Sequence, residues 1–203
     1  MTIAMPVEPA ANELLSNDPL ALLIGMLLDQ QVPLERAFSA PYDLTKRLGH
    51  NPTAEELAGY DPEALAAVFS ERPALHRYPK SMAARVQSLA QLIVARYDGD
   101  AGRVWGDAAD GAELRRRIAE LPGFGAQKAQ IFLALLGKQL GVQPAGWREA
   151  AGPFGEVGSY CSVADISDDD SLARVRAHKQ ELKAAAKAKA GTKDTTKATA
   201  KGR

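Results

Sequence analysis

Residues Leu121 to Gln130, LPGFGAQKAQ, set two glycines two positions apart at the junction of two stretches of helical periodicity. Gly123 and Gly125 accept positive φ and have no side chain to hold a ligand off, so successive backbone N–H groups at the start of the second helix can point outward together. The chemistry of such a corner is capture of an anion, and a phosphate fits it. Lys128, just inside the second helix, is either a solvated surface lysine or a further phosphate contact. Three carboxylates are candidates for acid–base or electrostatic work: Asp29, Glu149 and Asp165. His50, His76 and His178 show no metal-ligand spacing and read as structural or surface residues.

The elements that must position these groups are helices. GAELRRRIAEL puts Leu114, Ile118 and Leu121 at helical spacing. The stretch after the corner does the same with Ala129, Phe132 or Leu133, Leu136 and Leu140. Leu20 to about Gln30 is apolar almost all round and is expected at the centre of the fold, capped by Asn17 or Asp18 with Pro19 in its first turn. A short helix is expected at AANELL. Pro33 opens another, Tyr42–Leu48 and Thr53–Leu57 read as short helices, and Asp61 with Pro62 starts one that ends before Pro73. Ser81–Tyr97 is amphipathic, and YDGDAG is a turn. After Gly141 the chain is rich in Gly and Pro as far as Gly158, and SYCSVADI returns toward helix. No internal repeat is visible.

Composition narrows the class. The 203 residues suffice for one compact domain or two small lobes around a cleft, and few runs alternate Val, Ile and Thr, so an all-α bundle is expected. The net charge of zero hides an asymmetry: from Glu181 to Arg203 there are seven basic and two acidic residues, which leaves the preceding body at −5. An acidic body argues against a broad nucleic-acid-coating surface and allows a narrow basic strip. Cys161 is the single cysteine, which rules out an internal disulfide or a four-cysteine cluster. The apolar LALLIGMLL is short and follows acidic residues, so neither a signal peptide nor a membrane span is expected, and a cytoplasmic protein is. The expected organisation is an irregular lead-in over 1–17, a folded domain over 18–180 and a disordered Lys/Ala-rich tail over 181–203.

The hairpin LPGFGAQK, the upstream block LLIGMLLDQQVPLERAF, the loop and helix LHRYPKSMAARVQSLAQLIV, and the downstream GVQPAGWREAAGPFG occur in an order that resembles the helix-hairpin-helix (HhH-GPD) superfamily of base excision repair DNA glycosylases. The resemblance covers roughly residues 15 to 180. It implies an all-α, two-lobed fold that binds double-stranded DNA, flips a nucleotide out and cuts its base from the sugar. It also implies that Pro122, Gly123, Phe124, Gly125, Gln127 and Lys128 grip phosphates, and that a sodium or potassium ion sits on main-chain oxygens of the hairpin. Gln31, with Gln30 beside it, would fill the gap left by the flipped nucleotide. Tyr78 is either core or a stacking wedge. Trp147 either stacks on the extruded base in its pocket or packs between lobes. Of Arg115, Arg116 and Arg117, one or two would point with the hairpin.

The chain departs from the family at both chemical positions. The interval that separates the hairpin from the family's catalytic Asp lands here on Ala145 or Gly146, and the lysine of strand-nicking members aligns with Gln127, which leaves Lys128 one residue on and about 100° round the helix. Three readings follow. Another carboxylate substitutes, Asp29 being the catalytic candidate with Glu149 and Asp165 as rivals; or positioning and backbone dipoles suffice for labile alkylated purines; or the protein recognises DNA without cutting it. A monofunctional glycosylase is the expectation, and a noncatalytic lesion sensor its rival. The basic tail is either a DNA tether or a solubilising remnant.

Overall fold

The computed structural model describes the backbone of residues 2–199 and the side chains as far as residue 185. Its helices are α1 (Pro9–Asn17), α2 (Pro19–Leu28), α3 (Leu34–Leu48), α4 (Ala54–Gly59), α5 (Pro62–Ser70), α6 (Pro79–Tyr97), the single turn α7 (Arg103–Gly106), α8 (Gly111–Ala119), α9 (Ala126–Gln139), α10 (Trp147–Ala151) and α11 (Asp169–Thr199). Short 3-10 turns occupy Gly152–Gly155 and Val163–Asp165, and no strand occurs among the described residues. The fold is all-α.

α2 forms the centre, and every residue from Leu20 to Leu28 is buried. Its entry is set by the Asp18 side chain, which accepts from the N–H groups of Leu20 and Ala21, and by Pro19 in the first turn. Gly25 in mid-helix leaves room for the Phe38 ring of α3, which would lie 3.0 Å from a Cβ there. One lobe packs α4 and α5 on α6; the other packs α8, α10 and the 3-10 turns on α9. Thr53 and Asp61 cap α4 and α5 through their side chains, and Asp110 caps α8.

The structure corrects four expectations about elements. α3 runs unbroken from Leu34 to Leu48 through Pro41, where two pieces were expected. Burial of Ala37, Phe38, Ala40, Pro41 and Leu44 along one face outweighs the one backbone bond that a proline forfeits. The Gly/Pro-rich stretch after Gly141 contains the turn of helix α10, wedged between α8 and α9. SYCSVADI returns only to a 3-10 turn. α11 is helical across 181–185, where disorder was expected. The side chains of 186–203, and all structure of 200–203, lie outside the described residues, and with them the rest of the tail expectation.

The second lobe closes on two glycines. A Cβ on Gly137 would meet the Trp147 ring at 2.4 Å, and one on Gly111 would meet the Trp147 backbone at 2.5 Å. Backbone cannot step aside as a flexible side chain can. Gly111→Ala should therefore cost about 1–3 kcal/mol, read as a lower urea midpoint or melting temperature.

Candidate nucleic-acid interface

The hairpin corner is built from the exit of α8 and the entry of α9. Gly123 has φ +84°, and both it and Gly125 are exposed. The Phe124 N–H is taken by the Leu121 carbonyl at 3.0 Å. The first amides of α9 have no intrahelical partner, and unlike those of α2, α4, α5 and α8 they receive no side-chain cap. They are open to solvent beside exposed Gly125, Ala126 and Gln127. Phe124 was expected on DNA; instead it is buried, edge-on to Phe132 with ring centroids 5.7 Å apart, and anchors the corner from within. Pro122 is half-buried. Of the three arginines on α8, Arg116 pairs with Glu120 and Arg117 with Glu113, while exposed Arg115 makes no hydrogen bond among the described residues. The carbonyls of Pro122 and Gly123 likewise accept none there, so the corner has oxygens to offer a cation. No cluster of three or more His, Cys, Asp or Glu side chains among the described residues is arranged to hold a metal.

The loop after α2 stands against this corner. A Cβ on Gly123 would lie 3.4 Å from Leu27. The Lys128 ammonium turns inward and donates to the carbonyls of Met26 (2.9 Å) and Leu27 (3.0 Å), the last turn of α2. As a phosphate contact the residue is thus spoken for, because the 100° rotation from Gln127 carries it from the exposed face to the packed one. Gln30 is equally engaged. Its amide donates to Leu27 O at 2.9 Å and touches Met82 of α6, and its carbonyl side receives Arg85 at 3.2 Å. Gln31 differs. It is exposed, its side chain makes no hydrogen bond among the described residues, and it sits at φ +57°, a conformation that costs a non-glycine residue about 1–2 kcal/mol.

His76, read from sequence as merely structural or surface, joins the third segment to this loop. Its Nδ1 accepts the N–H of Tyr78 at 3.0 Å, so the ring hydrogen is on Nε2, which donates to the Gln30 carbonyl at 2.8 Å. Tyr78 then projects as an exposed aromatic, 44% accessible, with the Arg77 guanidinium 5.5 Å from its ring centre. Hook, Gln31 and Tyr78 thus stand on three segments tied together at the end of α2. The signal for His76 was its place two residues before an aromatic–proline helix start; nothing in its spacing marked the partner.

The three carboxylates separate cleanly. Asp165 is buried and fully used, receiving Lys138, Ser159 and the N–H groups of Cys161 and Ser162. Glu149 is exposed on α10, whose start packs at Gly137, about 18 Å along α9 from Gly125, and whose end at Gly152 comes up to the Gln130 amide in the second turn of α9. Trp147 lies at the same distant end, with its ring packed on Gly137 and Arg148 4.3 Å from the ring centre, so it has no face to offer a base beside the hook. Asp29 caps the end of α2, where Lys128 of the hairpin helix acts on it. Burial pushes its carboxyl above the ordinary range, against the pull of Lys179 and Lys128. Burial also brings Lys128 down to about 8, partly countered by Asp29 and reinforced by Arg85.

An outward amide corner, a presented glutamine and an aromatic beside one carboxylate define a helix-hairpin-helix DNA-binding protein. The family model described as HhH-GPD superfamily base excision DNA repair protein matches residues 24–194, and the chain belongs to that superfamily. It is a base excision repair protein of a family that consists in general of DNA glycosylases and binds DNA. No curated protein and no solved structure matches the chain. No helix among the described residues is long and apolar enough to cross a membrane.

Two measurements follow from this geometry. Gln31→Gly relieves the left-handed strain, so it should be at least as stable as the parent, by up to about 1 kcal/mol in urea unfolding, while losing the 2-aminopurine fluorescence rise that reports nucleotide flipping. Lys128 is charged in both folded and unfolded chains below pH 8. Between about 8 and the unfolded value of about 10.4 the folded amine sheds its proton first, and its two remaining N–H groups still serve two carbonyls. Stability relative to Lys128→Met should therefore rise with pH across that window; a flat difference would contradict the burial.

Proposed function

We propose that this protein is a monofunctional DNA N-glycosylase acting on a damaged base flipped out of double-stranded DNA, as a cytoplasmic, nucleoid-associated monomer. The observation that supports the reading is that Asp29, the C-terminal cap of α2 and two residues before Gln31, is the candidate carboxylate on which Lys128 of the hairpin helix acts. The amides of Gly125 to Gln127 take a backbone phosphate, with a sodium or potassium ion on the Pro122 and Gly123 carbonyls supporting the strand. Gln31 enters the duplex and Tyr78 stacks beside it.

With the nucleotide extruded, the bond from C1′ to the base nitrogen breaks and its electron pair leaves with the base. Asp29, ionised, stabilises the cationic sugar that develops, and in a site shielded from water that attraction is strong. Water then adds to C1′ and gives its proton to Asp29. Gln127 occupies the place of the strand-nicking lysine, and the Lys128 amine is bonded to α2, so no covalent step through an amine is assigned.

The second reading, a lesion sensor that binds without cutting, is favoured by Ala145 and Gly146 standing where the family carries its Asp. Duplexes with alkylated, deaminated, oxidised or mismatched bases, followed by alkali, decide between them. Abasic sites on one lesion class are expected, with no protein–DNA adduct on borohydride reduction. Asp29→Asn should lower the release rate by about 10²-fold or more, with binding retained and stability unchanged or raised. Tight binding with no abasic product on any duplex would leave the sensor reading.

A further inference from the structure

α11 leaves the body on the side of the candidate site, and its inward face changes character as it does so. Leu172 and Val175 are buried against the body, and Arg176, one position on, pairs with Glu35 in the first turn of α3, just behind the Gln31 loop. Lys179 lies one turn further along the same helix, and its charge pulls the Asp29 carboxyl toward ionisation. At about 100° per residue, Lys179 lies within about 40° of the direction set by Leu172 and Val175, and Lys183 falls about 20° from Leu172. Both lysines are exposed, and neither has an ion-pair partner among the described residues. Glu181 falls on the opposite side of the helix. The stripe that is apolar where α11 packs is therefore basic where it no longer does, and the sequence repeats the four-residue spacing at Lys187.

We propose that this basic stripe of α11, led by Lys179 and Lys183, is a second DNA-backbone contact that extends the hairpin interface along the duplex. The inference rests on the DNA-binding reading of the preceding subsection and adds a partner surface to it. Lys128 and Lys179 reach Asp29 from different elements, α9 and α11, so the helix continues the same interface. The acidic body offers phosphates few other places to settle. A helical stripe differs from a loose basic tether in one respect: its lysines act only if they keep their direction.

The test compares salt dependence of duplex binding by the full chain. Lys179→Gln with Lys183→Gln should make the slope of log K against log salt shallower by about 1.8 on the scale of 0.9 per phosphate contact. Two alanines inserted between His178 and Lys179 keep every charge and turn the lysines about 200° away; this variant should lose a similar slope, with helix content checked by circular dichroism. An unchanged slope in both variants, while Gly123→Glu still abolishes binding, overturns the stripe and leaves the hairpin reading intact. Loss in the glutamine variant alone identifies an undirected tether and also overturns it. Absence of binding by the parent protein at low salt removes the DNA reading, and the stripe with it.

Discussion

Everything at the candidate site depends on how the last turn of α2 is closed. A helix end leaves its final carbonyls without intrahelical donors, and this one is sealed by groups from separate parts of the chain. Lys128 takes Met26 and Leu27, the Gln30 amide shares Leu27, and the Gln30 N–H takes Leu28 at 2.7 Å. The Gln30 carbonyl is in turn held by His76, whose other nitrogen fixes Tyr78. Leaving any buried member unpaired costs about 1–3 kcal/mol. These bonds tie the hairpin, the loop and the start of α6 to one helix end.

The same closure gives meaning to the chain's departure from its family. A lysine at position 127 would stand on the exposed face of α9, facing what the corner binds. One residue later it faces α2 and becomes a strut. Gly123 completes the fit, because its missing side chain lets Leu27 lie against the corner itself.

Much of this arrangement was legible in the chain. The uninterrupted apolar run of α2, the Asp18–Pro19 start, the Thr53 and Asp61 caps and the glycine corner are local signals, and each is found where local chemistry puts it. What was not legible depends on two distant pieces meeting. Pro41 reads as a breaker until it and four neighbours are buried on one face. Trp147 reads as a pocket aromatic until Gly137 makes room for its ring and Gly111 for its backbone, and Phe124 reads as part of a DNA loop until Phe132 is beneath it. For the site, block order marked Asp29, Gln30 and Gln31. The direction of Lys128, the bridging of His76 and the approach of Lys179 came only with three dimensions.

Asp29 is placed against the ordinary rules for stability. It is the C-terminal cap of α2, where the helix dipole disfavours an anion, and it is partly desolvated. Bound DNA would add a further negative field and press it toward the neutral acid, which has no use for a developing sugar cation. Two lysines oppose that pressure. Lys128, held on the same carbonyls that make the helix end negative, and Lys179, brought in by α11, both pull the carboxyl toward ionisation. On the proposed mechanism, part of the basic character around the cleft serves the carboxylate as well as the phosphates. That accounts for a lysine buried at the cost of its own proton affinity, in a body that is otherwise acidic.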